Sequence, residues 1–256
     1  MLRGWLALAV LCSGAASGAG PNYSAASIVN ASDYSPGPFA PNSVLSIFGS
    51  GLARSTYALA ASDIVAGQMP HELNYVRVYV QDQPVSLLFV SDGQINFIMS
   101  SVLTTGPVRV RVVTEGVSGP EIVLTLVDAA PALFSRSGGY AIATSADGKL
   151  LTADSPGHAG DTIVVYATGL GRTSPNPGVY DIPNFVAPIV ALSSLKVTLG
   201  DKAVDPGLIK YAGLTPGSAG LYQVNLVVPE GTGDDPEIQI SAAGSAPTTG
   251  LKMPIR

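Results

Sequence analysis

Residues 43–53 (SVLSIFGSGLA) recur as residues 161–171 (DTIVVYATGLG), with Leu45/Ile163, Ile47/Val165, Phe48/Tyr166, Gly51/Gly169 and Leu52/Leu170 in step. The segments downstream recur in the same order. VRVYV at 76–80 answers LKVTL at 195–199, and QINF at 94–97 answers QVNL at 223–226. Self-similarity at the spacing of one small domain requires a folding unit used twice, so any fold for this chain must be a tandem one.

The unit is built of strands. In VRVYV the valines Val76, Val78 and Val80 share one face while Arg77 and Tyr79 take the other, and VRVRVV at 108–113 turns Arg109 and Arg111 outward in the same way. Alternation with β-branched residues on the apolar side marks sheets wetted on one face only, and such sheets are antiparallel. Asp92-Gly93, Asp147-Gly148 and the GVSG run at 116–119 punctuate these strands as turns do. Short strands at this spacing without a long helical period predict an all-β chain of two β-sandwiches. Only Tyr57–Val65 (YALAASDIV) reads as a short helix, a crossover between sheets. The Ala-Pro segment Ala129–Phe134 marks the junction, which gives a first sandwich over 20–130 and a second over 131–256, joined by a linker too short and apolar to act as a flexible string.

Residues 1–19 read as a secretory signal peptide: Arg3 supplies the charge, Leu6–Leu11 the apolar run, and Ser17 with Ala19 the small residues at a cleavage site before Gly20. That run is too short for a retained membrane helix, and Leu11 sits where a lipoprotein signal at Cys12 needs a small residue. Cleavage removes Trp5 and the single cysteine, so the exported chain has no disulfide and no thiolate, and its two cores must hold without staples. It also leaves twelve of the 13 basic residues against 18 acidic ones, a formal charge of −6. A sparsely charged acidic surface disfavours nucleic acid and anionic lipid, and no second apolar stretch reaches spanning length. The expected place is periplasmic or extracellular.

The runs IVNASDYSPGPFAPNSVLSIFGSGLA (28–53), FVSDGQINF (89–97), HAGDTIVVYATGLG (158–171) and YAGLTPGSAGLYQVNLVVP (211–229) resemble the Solibacter-type C-terminal domain, a module found at the ends of large exported bacterial proteins. Nearly all of the chain after residue 19 is covered. Single copies also resemble the immunoglobulin-like domains of transcription factors and plexins. The resemblance implies tandem immunoglobulin-like antiparallel β-sandwiches outside the cytoplasm and assigns no activity. One departure stands in the first copy, which reads QINFIMSS where the pattern favours valine-proline after the asparagine strand.

Gln94 and Asn96, and Gln223 and Asn225, form the one polar signature present in both copies, and each pair points to one face of its strand. They could form a hydrogen-bonding surface for an extended peptide or glycan, but the reading that fixes neighbouring turns outweighs it. Tyr79, Tyr140 and Tyr180 are the candidate exposed platforms, whereas Tyr166 and Tyr222, inside repeat motifs, are expected between the sheets with bonded hydroxyls. Catalysis has little to stand on. His71 and His158 each sit beside turn residues, no G-x-S-x-G elbow is present, and the glycines lack the strand-to-helix context of a phosphate loop. The acidic groups Asp201 with Asp205, and Asp234, Asp235 with Glu237, lack calcium-loop spacing and read as solvated loop charge, and Arg77, Arg109 and Arg111 as solubility and cross-strand pairing. No cofactor or metal is expected. The sequence therefore points to a non-enzymatic exported binding or adhesion module for an extracellular or envelope protein, acting through sheet edges, loops or the groove between the copies. A carbohydrate-binding module is the alternative, and a secreted hydrolase a remote one.

Overall fold

A computed structural model describes residues 20–248 and 250–256, so the signal-peptide reading of 1–19, with Trp5 and Cys12, lies outside the described residues. The first half contains β1 (Ile28–Asn30), β2 (Val44–Phe48), β3 (Tyr57–Ala58), β4 (Val76–Val80), β5 (Gln83–Pro84), β6 (Leu87–Val90), β7 (Gln94–Ile98), β8 (Gly106–Thr114), β9 (Val117–Ser118) and β10 (Ile122–Leu126). The second contains β11 (Ala132–Leu133), β12 (Ser135–Arg136), β13 (Tyr140–Ala141), β14 (Ala143–Ser145), β15 (Thr162–Thr168) and β16 (Ala187–Pro188). It continues with β17 (Lys196–Leu199), β18 (Lys202–Ala203), β19 (Ile209–Leu214), β20 (Tyr222–Val227), β21 (Glu237–Ser241) and β22 (Leu251–Lys252). Tyr57–Val65 is not a helix: it opens as edge strand β3, and only Ala61–Asp63 closes a single 3-10 turn, held where the Asp63 carboxylate accepts the Ala60 N–H at 2.7 Å.

The chain folds as two tandem immunoglobulin-like β-sandwiches. Sheets ordered β1-β2-β7-β6-β3 and β10-β8-β4-β5 face each other in the first, and β11-β15-β20-β19-β16 and β12-β13-β22-β21-β17-β18 in the second. Pairing is antiparallel throughout the named strands except between β13 and β22. The alternation read from the sequence places Val76, Val78, Val80, Val110 and Val112 inside, against Leu45, Ile47, Ile95 and Phe97 of the facing sheet. Val197, Leu199, Ile238 and Ile240 meet Ile163, Val165, Val224 and Leu226 in the same way. Burial of these side chains, at about 1.5–3 kcal/mol each, is the main force holding each half.

Both the order and the register of the strands repeat. Leu45 lies opposite Phe97 and Ile47 opposite Ile95, as Ile163 lies opposite Leu226 and Val165 opposite Val224. Even an irregularity is duplicated: the pairing of β6 with β7 slips between Leu87 and Phe89, and that of β19 with β20 between Ile209 and Tyr211. A bulge bends its strand and sharpens the twist, so the two sheets share a curvature as well as an order.

The halves meet through buried polar and apolar contacts. Thr168 Oγ1 accepts the Val44 N–H at 2.9 Å and donates to the Gly220 carbonyl at 3.1 Å, all out of water. Val44, Met69 and Ile98 of the first half pack with Ile182 and Ala219 of the second. The chain between β15 and β16, residues 169–186, reaches back over the first half. There Tyr180 donates to the Pro84 carbonyl at 2.8 Å, Asn176 Nδ2 to the Ser101 carbonyl at 3.0 Å, and Ser101 Oγ to the Pro177 carbonyl at 3.1 Å.

Candidate functional site

Three segments far apart in sequence enclose a groove of about 770 Å³ at the junction. They are the 30–39 segment after β1, the linker 127–133, and the 243–248 loop between β21 and β22. Its size falls within the ~300–1,000 Å³ typical of ligand clefts. The first segment is tied to itself. Asn30 N–H donates to the Ser35 carbonyl at 2.9 Å, Tyr34 N–H to the Asn30 carbonyl at 3.0 Å, and the Asn30 side chain accepts from Ser32 N–H at 3.0 Å. Phe39 and Leu133 are buried at the groove's base, and Phe39 is fixed by backbone bonds to Thr125 and Val127 at 3.0 and 2.8 Å. These bonds hold the 30–39 wall and the base of the groove in place.

Among the described residues no lysine, arginine or histidine lines this groove, whereas Asp33 and Asp128 both do. Asp33 Oδ1 accepts both the N–H and the hydroxyl of Ser35, at 2.9 and 2.7 Å. Asp128 Oδ1 lies 3.5 Å from Arg172, an exposed and weak pair. Tyr34 stands at the mouth, 61 % exposed, its ring centroid 5.8 Å from that of Phe48.

The residues singled out from the sequence lie elsewhere. Gln94 Nε2 and Ser46 Oγ both donate to Asn96 Oδ1 at 2.8 Å, so the first amide pair is engaged within its own sheet. In the second copy Val164 replaces Ser46 in register, and Asn225 Oδ1 is buried without a hydrogen-bond partner among the described residues. Gln223, half-exposed, lies opposite Tyr166. Tyr79, Tyr140 and Tyr180 are half-buried rather than open platforms. Arg111 lies 5.2 Å over the Tyr79 ring and Arg136 5.0 Å over that of Tyr140. The Tyr140 hydroxyl donates to Asp235 at 2.9 Å, a bond that raises its pKa. Tyr180, raised by burial, serves the contact between the halves. Tyr222 is sealed between the sheets as expected and donates to the Gly171 carbonyl, but Tyr166 faces outward near Thr144.

Sequence reading missed Tyr34, Asp33 and Asp128. The signal present was the NASDYSPGPFAP run, dense in turn formers around one aromatic ring, yet nothing in it says that 127–133 and 243–248 fold beside it. His158 is exposed beside Asp161, with Nδ1 3.5 Å from the carboxylate, and His71 is exposed with its ring 5.3 Å from that of Tyr180. Among the described residues no group of three His, Cys, Asp or Glu could hold a metal ion, and no helix is long and apolar enough to cross a membrane. Asp205 is occupied with the Gly207 N–H at 2.7 Å, and Glu237 with Gln239 and the Gly250 N–H at 3.2 Å each.

The chain matches no family model and no curated protein sequence. Among solved structures it is similar to SGBP-B of the Bacteroides ovatus mixed-linkage glucan utilization locus in complex with a mixed-linkage heptasaccharide, at 9 % identity and a TM-score of 0.33 over 84 % of this chain. It is also similar to a surface glycan-binding protein from Prevotella bryantii, at 13 % identity and a TM-score of 0.28 over 92 % of this chain. The chain spans 44 % and 42 % of the length of those two proteins. Domains 5–6 of the S-layer protein SbsC match at 8 % identity and a TM-score of 0.27, with 92 % of this chain and 98 % of that one covered.

Proposed function

We propose that this chain is a non-enzymatic binding module of the exported, Solibacter-type kind that its sequence resembles. In this reading a signal peptide over 1–19 directs it out of the cytoplasm, and sandwiches 20–130 and 131–256 together hold an extracellular or envelope partner in the groove between them. The observation that carries the reading is the groove itself: about 770 Å³, made jointly by both halves and their linker, with its walls fixed by internal bonds. Neither sandwich could form it alone.

Ala246 is exposed on the groove wall, so Ala246→Trp fills the space without touching either core, while Val102→Trp, exposed and away from the groove, is its control. Crosslinking in the native host's envelope fraction is expected to attach the wild type and the control to a partner and to lose that attachment in Ala246→Trp. Attachment that survives the filled groove, or a wild type free and monomeric in the medium, refutes the proposal.

A further inference from the structure

Tyr34 is a residue its loop does not need. Its backbone is left-handed, with φ of 59°, as the turn returning to Pro36 requires, and asparagine or glycine adopts that conformation at lower cost than a bulky side chain. Packing does not account for it either, because the residue is 61 % exposed and its aromatic partner among the described residues is Phe48 alone. A strained aromatic residue held open at the mouth of a cleft is a reason to look for a ligand there.

We propose that the groove takes a neutral saccharide, a short run of sugar units lying against the Tyr34 ring and donating hydroxyl hydrogens to Asp33 and Asp128. This assignment rests on the groove being the binding site. The lining, with two carboxylates and no basic side chain among the described residues, repels phosphates, uronates and other anions. A cationic peptide is the weaker fit, because Asp128 already faces Arg172 and Asp33 already accepts two bonds from Ser35, which leaves a modest field. Each carboxylate still presents Oδ2 as an acceptor, and acceptors beside an aromatic face match a sugar's hydroxyls and its apolar C–H surface.

The exported protein would be titrated with cellohexaose, xylohexaose, mannohexaose and maltohexaose, and separately with hexalysine, by saturation-transfer NMR. At least one neutral hexasaccharide is expected to bind, and Ala246→Trp to abolish that binding. Tyr34→Asn and Asp33→Asn should each weaken it about tenfold. Asparagine suits the left-handed backbone, so Tyr34→Asn should leave the melting temperature unchanged or higher, which separates a binding role from a structural one. Failure of all four sugars to bind, or binding that survives Tyr34→Asn, overturns the saccharide assignment. If hexalysine binds instead and Ala246→Trp removes it, the groove stands and the ligand class falls. Envelope attachment indifferent to Ala246→Trp would bring down the groove reading itself.

Discussion

The two sandwiches share strand order, register and a bulge, yet the same repeat position does different work in each. Ser50 and Thr168 are equivalent: the first is exposed at a strand end, and the second is buried and joins the halves through Val44 and Gly220. Gly51 and Gly169 are equivalent and both left-handed, with φ of 66° and 75°. Gly51 is half-exposed, whereas a Cβ on Gly169 would stand 2.1 Å from the Ala130 carbonyl oxygen. A duplicated scaffold thus supplies two equivalent sets of positions, and part of the contact between copies is made by changing side chains at the end of one strand, the rest coming from the 169–186 segment.

That comparison breaks most visibly at the glycines. Gly169→Ala is expected to destabilise by about 3 kcal/mol or more, from backbone strain together with a clash against the linker, while Gly51→Ala costs about 1–2 kcal/mol from strain. Equal losses in denaturant melts would mean that the linker yields freely and that the halves are not locked. Next, Thr168→Val leaves a buried N–H and a buried carbonyl unpaired, for about 2–4 kcal/mol, against less than about 0.5 kcal/mol for Ser50→Val. Amide exchange should show faster opening of Val44 in the first variant alone.

A smaller effect comes from the tyrosines of the two cores. Burial pushes the hydroxyl of Tyr222 far up from 10.0, and burial raises Tyr23 as well, although the Val112 N–H bond opposes it. A folded-state pKa above the unfolded value means stability that is complete below about pH 10 and falls as pH rises beyond it. Tyr222→Phe should cost about 1–2 kcal/mol at neutral pH, by orphaning the Gly171 carbonyl, and should flatten most of the alkaline loss; Tyr23→Phe should flatten less of it. Alkaline unfolding curves of the two variants decide the order. Smallest is the amide pair: Ser46→Ala should cost about 1 kcal/mol, and Val164→Ser should be nearly neutral, because a new bond to Asn225 offsets the lost apolar burial. A clear penalty in both would show that the Asn225 oxygen is not waiting for a donor.

The sandwich pattern was legible because strand faces obey a two-residue period, so Val76, Val78 and Val80 announce their side of the sheet without help from distant residues. Register was legible only because the chain repeats: Gln94 and Gln223 mark the same row in both copies. The duplicated bulge was not, since Leu88 and Lys210, the residues spanned by the slips, share no chemistry that a sequence comparison could align. Tyr79 and Tyr140 misled for a related reason. Each sits on an outward row, but the arginine paired with it on the neighbouring strand covers its ring, and that neighbour depends on the pairing. The groove was least legible of all, because Tyr34, Asp128 and Ala246 meet only after both halves have folded and docked.

The arm over residues 169–186 has a consequence for how a complex would form. Widening or narrowing the cleft would mean swinging one sandwich against the other. Any such swing must disrupt, together, the bonds of Tyr180, Asn176 and Thr168 to the opposite half. A partner of the proposed kind would therefore meet walls whose separation is set by these bonds. Were the groove to bind as proposed, little of the contact energy would go into immobilising the protein, and recognition would proceed by fit to a preorganised cleft rather than by closure around the guest.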